Sequence, residues 1–459
     1  MHRYQHRANI SAPASEVFEW HERPGAFEML TPPWADVDVV ESRGGIQDGG
    51  IVVLKLSAGP LNFRWKLQHS GFIRGQQFRD SQVSGPFESW EHTHSFSPAA
   101  QSAERCTIQD TIKYAVPLEL PVAPQLIDLE LDRMFRYRSE VLNHVLLKEH
   151  VQPMKILVSG SHGLIGRQVC PALSTSGHDV KRLVRKGHAD NNGAGGGTGV
   201  VSWDPASGAI DESSLDGLDA VVHLAGENIA SGRWTPEKKE ELRKSRVQAT
   251  RRLCEALAKL KHPPKVLVCA SAIGYYGDSG AAPVDEDGRM GDNFLAHLAK
   301  DWEEACAPAR DTGIRVVNLR FGVVLSPRGG ALGQMLLPFQ MGAGGVIGSG
   351  KQYMSWIAID DVAHIVSKVL FDDTISGAVN ATAPHPVTNR EFTKTLGKVL
   401  ARPTVCPVPA FGARLVFGEM ADELLLSSCR AVPAKLQEHQ FQFQFPTLES
   451  ALRHVLGKQ

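Results

Sequence analysis

The chain has 459 residues and balances 49 Lys+Arg against 50 Asp+Glu, for a net charge of -1, so two or three domains are expected and no general electrostatic attraction to nucleic acid or an anionic membrane. Its seven cysteines are scattered, odd in number and free of C-x-x-C pairs, which argues against a disulfide framework or a cysteine zinc site and fits a reducing cytoplasm. The N-terminus lacks the apolar core of a signal peptide, and no apolar run approaches the roughly 20 residues that span a bilayer, so a soluble cytoplasmic protein is expected.

Residues 1–150 read as short strands, such as "GGIVVLKLS", "RWKLQHSGF", "SWEHTHSFSP" and "CTIQDTIKYAVP", closed by one amphipathic helix. On that helix Ile127, Leu131, Met134 and Phe135 recur at helical spacing, and Val141, Leu142 and Val145 continue the face. The pattern predicts an α+β domain. Within it His92 and His94 alternate along a strand and share one face, but the sequence identifies no third ligand. A polar or packed strand face is the expectation, and no metal is assigned.

From Lys155 the pattern changes to strands alternating with helices, which predicts a doubly wound parallel sheet. Six strands are expected, at "KILVSG", "DVKRLVR", "VVSWD", "AVVHLAG", "KVLVCASA" and "RVVNLRFG". Two helices stand out between them, "PEKKEELRKSRVQATRRLCEALAKL" and "NFLAHLAKDWEEACAPARDTG". The tract "GHADNNGAGGGTG" (187–199) predicts a surface loop, because such dense glycine loses much entropy on ordering. Beyond about residue 325 the alternation loosens into a smaller lobe, giving domains at 1–150, 154–385 and 386–459.

Gly160, Gly163 and Gly166 directly follow the first of these strands and directly precede a helical segment. In such a unit the first glycine permits a tight turn, the second lets backbone approach a pyrophosphate and the third lets the helix pack close to the sheet. The helix N-terminus adds free N–H groups and a positive dipole end. Nucleotide binding is therefore expected, although Pro171 should kink the helix or shift its start. The second strand ends in Arg185 and Lys186 where an acidic residue would bind the ribose of NAD. A basic residue there suits the 2'-phosphate of NADP, so NADP (NADPH) is favoured over NAD.

The combination "GSHGLIG", "HLAGENIASGRWTPEKKEELRKSRVQATRRL", "ASAIGYYG", "LRFGVVLSPRGGAL" and "MSWIAIDDVAH" resembles the extended short-chain dehydrogenase/reductase superfamily. Within it, residues 154–459 resemble the NAD-dependent epimerase/dehydratase-like subfamily that carries a small C-terminal domain of unknown function. Residues 1–150 resemble the START-like polyketide cyclase/dehydrase proteins, through "RANISAPASEVFEWHERPGAFEMLTPPW", "GPFESWEHTHSF" and the final helix. That second resemblance implies a helix-grip fold around a hydrophobic cavity, serving either an apolar ligand or as a structural appendage.

The first resemblance implies that Gly160, Ser161, His162, Gly163, Leu164, Ile165 and Gly166 surround a pyrophosphate, with Arg185 at the adenosine end and Leu224, Ala225 and Gly226 along adenine and ribose. It also implies a Tyr-x-x-x-Lys pair, whose lysine favours the tyrosinate from one helical turn away. None of the six tyrosines is followed four residues later by lysine. Lys300 is preceded at that distance by Ala296, the catalytic Ser/Thr position falls on Ala272 with Ser271 beside it, and the supporting asparagine falls near Arg246.

Ser271, Tyr276 and Lys300 are thus the candidate catalytic residues, and Ser271 also borders the cofactor. Tyr275 and Asp278 stand near Tyr276, with a packing role competing with proton transfer. Glu227, Arg233 and Trp234 could meet an anionic substrate or the nicotinamide end of the cofactor, or Arg233 could pair with Glu227. The glycines of "QMGAGGVIGSGKQYMSW" allow either a close approach to ligand or a mobile connection. The expected function is an NADP(H)-binding epimerase- or reductase-like protein acting on a small molecule, such as a nucleotide-sugar or carbonyl compound. The alternative is a non-catalytic, NADP(H)-dependent sensor or scaffold.

Overall fold

The computed structural model describes every residue except 59–60, 101, 118–122, 147–151, 188–198 and 459. The glycine tract therefore lies outside the described residues but for Gly187 and Gly199. The chain divides into two compact units, the first built mainly on Met1–Pro153 and the second mainly on the residues that follow.

In the first unit, β1 (His2–Ile10) is followed by the short helices α1 (Ala14–Glu22) and α2 (Ala26–Met29). Then come β2 (Val37–Arg43), β3 (Ile51–Ala58), β4 (Leu61–Ile73), β5 (Gln77–Ser84), β6 (Ser89–Ala99), β7 (Ser102–Ala115) and the long helix α3 (Ala123–Val145). The strands form one antiparallel sheet in the order β1-β7-β6-β5-β4-β3-β2. Period-two alternation presents Tyr4, Leu54, Leu67 and Ile112 to one face, where they pack with Leu131 and Phe135 of α3. Farther along, Ile10, Phe18, Trp20, Phe96 and Val141 form a second cluster. Full burial of such side chains stabilises by about 1.5–3 kcal/mol each. This is the expected α+β helix-grip arrangement, one sheet around one long helix.

The second unit holds a parallel sheet of β8 (Lys155–Ser159), β9 (Asp179–Arg185), β10 (Val200–Trp203), β11 (Ala220–His223), β12 (Val266–Ala272), β13 (Arg315–Phe321) and β14 (Gly377–Ala381), in the order β10-β9-β8-β11-β12-β13-β14. The six expected strands are all present. The seventh, β14, escaped the sequence reading because "GAVNA" is short and mostly small or polar, without an apolar run. Ile156, Leu157 and Val158 of β8 and Val221 and Val222 of β11 are fully buried, as suits strands covered on both faces.

The helices that bear on the site are α4 (Gly166–Thr175), α5 (Pro236–Arg243), α6 (Ala249–Ala258) and α7 (Phe294–Glu304). α4 begins at the third glycine and continues through Pro171, so the proline does not displace its start. The long charged helix expected from Pro236 onward is interrupted by a π-helical segment, Lys244–Gln248, between α5 and α6. Residues 386–459 belong to the second unit and carry the helices α8 (Asn389–Leu400), α9 (Ala410–Phe417) and α10 (Leu448–Leu456). Among the described residues no helix is long and apolar enough to cross a membrane.

Candidate functional site

β8 and β11 lie side by side at the middle of the parallel sheet, with Ser159 opposite His223. The chain turns sharply out of β8 at Gly160, whose φ is +69°. A Cβ there would sit 2.7 Å from the Leu224 carbonyl carbon, and one at Gly166 would sit 2.2 Å from the Gly160 oxygen. Only glycine fits either position. The first turn of α4 follows at once, with the N–H groups of Arg167, Gln168 and Val169 bonded to the Gly163 and Ile165 carbonyls of the loop, and it points the positive end of the helix dipole at the glycine turn. Close backbone approach at the glycines and the helix dipole together favour an anion at this turn.

A buried relay fixes the opposite wall. The Ser159 hydroxyl accepts N–H groups from Leu224 (3.2 Å) and Ala225 (3.3 Å), which fills its two lone pairs. Its proton must then go to His223 Nδ1, 2.6 Å away. His223 accordingly carries its own proton on Nε2 and donates it to Thr250 Oγ1 at 3.0 Å, which also accepts from Trp302 Nε1 at 2.9 Å. Burial pushes His223 down to about 4, so the ring is neutral at pH 7. Nothing local in the sequence marks this relay, because its members come from two strands and two helices.

Arg185 ends β9 in register with Trp203 of β10, and its side chain is exposed. Ser161 is buried, whereas His162, Gly163 and Gly226 are exposed and Leu164, Ile165, Leu224 and Ala225 are half-buried. The expected cofactor positions thus line the carboxyl ends of β8, β9 and β11, where ligands of open parallel sheets bind.

Ser271, Arg320 and Asn380 stand in register on three adjacent strands, β12, β13 and β14. The Glu303 carboxylate of α7 accepts the Ser271 hydroxyl at 2.7 Å and both Nε (2.7 Å) and Nη2 (2.9 Å) of Arg320. Arg320 Nη1 donates to the Tyr276 hydroxyl at 2.9 Å, which itself donates to Asn380 Oδ1 at 2.7 Å. Tyr276 is buried, and desolvation holds its phenol up at about 12 despite the adjacent guanidinium. Arg320 loses by burial but gains more from Glu303, which keeps it charged. Its guanidinium also lies 3.6 Å over the Tyr275 ring. The loop after β12 is thereby clamped from three strands and a helix.

The structure brings Ser271 and Tyr276 into one network but does not join Lys300 to it. Lys300 is exposed and pairs with Glu304 at 3.5 Å, while Ala296, at the expected tyrosine position, is fully buried. Arg246, at the expected asparagine position, lies in the π-helical segment, where its Nη2 donates to the Glu227 carbonyl at 2.8 Å. Glu227 pairs with Lys238 at 2.8 Å rather than with Arg233. Arg233 donates instead to the Leu415 and Val416 carbonyls, and Trp234 Nε1 to the Ile229 carbonyl. The glycines near residue 345 serve chain packing: a Cβ at Gly345 would lie 1.6 Å from the Cys406 oxygen.

Residues 156–381 match the NAD dependent epimerase/dehydratase family, 408–455 a domain of unknown function (DUF1731), and 10–136 the polyketide cyclase / dehydrase and lipid transport family. An epimerase family protein of Mycobacterium bovis, Mb2239, is 43% identical over 300 residues, which cover 65% of this chain and 97% of the relative. Human epimerase family protein SDR39U1 is 37% identical over 66% of this chain and 100% of its own sequence. Its crystal structure with NADPH superposes at a TM-score of 0.59, covering 66% of this chain and 99% of the human one. A nucleoside-diphosphate sugar epimerase structure from Corynebacterium glutamicum is similar over 100% of this chain and 91% of its own, at 33% identity and a TM-score of 0.80. The chain therefore belongs to the NAD dependent epimerase/dehydratase family, within the extended short-chain dehydrogenase/reductases, with a polyketide cyclase/dehydrase domain at its N-terminal side and a DUF1731 domain at its C-terminal side.

Proposed function

We propose that the second unit binds NADP(H) in preference to NAD(H) and acts on a hydroxyl- or carbonyl-bearing carbon of a small molecule of the nucleotide-sugar type. The observation that carries this reading is the backbone cradle at Gly160–Gly166, in which two positions have no room for a Cβ. A basic Arg185, not an acid, ends the second strand. The NADPH bound to the human relative and the nucleoside-diphosphate sugar for which the C. glutamicum epimerase is named support the two halves of the proposal.

In this reading Gly160, Ser161, His162, Gly163, Leu164, Ile165 and Gly166 hold the pyrophosphate, and Arg185 meets the 2'-phosphate. Leu224, Ala225 and Gly226, fixed by Ser159 and His223, lie along the adenosine half. Bound nicotinamide supplies a hydride donor or acceptor. Ser271 and Tyr276 position the loop that borders it, and the Tyr276 oxygen keeps its proton at neutral pH. Lys300, paired with Glu304 in solvent, takes no part in that network.

Arg185→Ala should weaken NADPH binding by roughly 10- to 100-fold, the worth of a hydrogen bond to a charged group, while leaving NADH binding nearly unchanged. Calorimetric titration of both nucleotides checks this, and equal losses would contradict the assignment. The buried Ala296 favours a second reading, in which cofactor occupancy signals without turnover. Under it, no member of a carbonyl and sugar-nucleotide panel changes the nicotinamide absorbance, yet saturating NADPH alters limited proteolysis of the full chain. Under the first reading a panel member is turned over.

A further inference from the structure

The inner face of the antiparallel sheet carries a polar island beside a cavity of about 250 Å³, whose apolar wall includes Leu30, Ile46, Val52 and Leu67. Strand register builds the island. Asp80 of β5 lies opposite His92, and Asp110 of β7 lies opposite His94. One oxygen of Asp110 stands 2.9 Å from His92 Nε2 and 2.8 Å from His94 Nδ1.

An ionised carboxylate only accepts, so both of those ring nitrogens carry hydrogen. In neutral imidazoles the other two, His92 Nδ1 and His94 Nε2, are lone pairs. Asp80 Oδ2 is buried, receives no hydrogen bond and lies 3.5 Å from His92 Nδ1. Ligand atoms of Asp80, His92 and His94 all fall within 4.8 Å of one another. Two imidazoles and one carboxylate thus meet on one wall of the cavity. Two carboxylates face one guanidinium, that of Arg138, and the other titratable neighbours are His21 and His69.

We propose that Asp80, His92 and His94 form a three-ligand site for a divalent transition-metal ion, with Asp110 holding both imidazoles in the ligating tautomer and the open coordination position facing the apolar cavity. Two imidazoles and one carboxylate suit Zn²⁺, Co²⁺ or Fe²⁺, and small side-chain rotations bring the donors to bonds of about 2.0–2.2 Å. A carboxylate accepting the far N–H of a ligating histidine is the usual outer-shell support. The arrangement would let an apolar molecule in the cavity place an oxygen on the ion.

The test uses the untagged full chain, stripped with chelator and titrated with Zn²⁺ by calorimetry and with Co²⁺ by visible absorption. One equivalent should bind with micromolar or tighter affinity. Asp80→Asn and His94→Gln should each weaken it at least 100-fold, and Asp110→Asn by roughly 10- to 100-fold, with the far-ultraviolet spectrum of the metal-free chain unchanged. Saturable binding absent below millimolar ion, or an equivalent retained by the Asp80→Asn/His94→Gln double variant, would overturn the proposal. Should the variants unfold, X-ray absorption of the zinc-loaded wild-type chain decides: two imidazoles with oxygen support the site, and a sulfur shell moves the metal to cysteines and refutes it.

Discussion

Gly160 and His223 show how two kinds of residue make one site. Gly160 is legible in the sequence, because its role is local: a turn with φ of +69° between a strand and a helix. Gly160→Ala or Gly166→Ala puts a methyl group against backbone at 2.7 or 2.2 Å. Each should reduce NADPH affinity by more than tenfold without unfolding the first unit, as titration and circular dichroism would show. His223 is not legible, since its partners Ser159 and Thr250 are 64 and 27 residues away. Its folded-state value of about 4 lies below the usual 6.5. The unfolded chain therefore binds the extra proton, and the stability His223 contributes is present above pH 6.5 and lost as pH falls towards 4. Between pH 7 and pH 5 the loss amounts to about 2 kcal/mol. Urea unfolding of His223→Gln should show a correspondingly smaller fall in stability across that interval, and an identical fall would contradict the neutral, buried assignment.

Among the elements, strongly apolar strands and periodic helices are visible in sequence, and short elements defined by their neighbours are not. β8, β11 and β12 announce themselves through Val, Ile and Leu. β14 is recognised only because Val317–Phe321 of β13 pairs with it. The π-helical segment at Lys244–Gln248 is hidden inside a charged run with unbroken helical propensity, yet it sets Arg246 against Glu227. The clamp of α7 on β12 and β13 was missed for a similar reason, since Glu303 and Arg320 are separated by 17 residues. Both are mostly buried, with side-chain exposures of 14% and 5%. Removing one partner leaves the other charge uncompensated, so Glu303→Gln should cost about 3–5 kcal/mol in denaturant unfolding of the second unit. A change near zero would mean that the guanidinium finds another partner.

At the scale of the whole chain, each half was legible to a different depth. The helix-grip fold of the first unit follows from alternating strands and one long amphipathic helix. Its polar island does not, because Asp80 and Asp110 meet His92 and His94 only through the registers of β5, β6 and β7. The second unit declares its nucleotide loop plainly and its reaction poorly: Ala296 and the outward Lys300 leave the usual proton-transfer pair unbuilt. Cofactor binding is therefore the claim on which the functional account rests. Bound NADPH should stabilise the second unit by about 2.7 kcal/mol at a free concentration 100 times its Kd. The most direct measurement is native mass spectrometry of the freshly purified full chain, with release and identification of any bound nucleotide and addition of NADPH and NADH to the stripped protein. The account predicts retained NADP(H), or saturable rebinding with NADPH clearly tighter than NADH. A chain that comes out empty and binds neither nucleotide would contradict it.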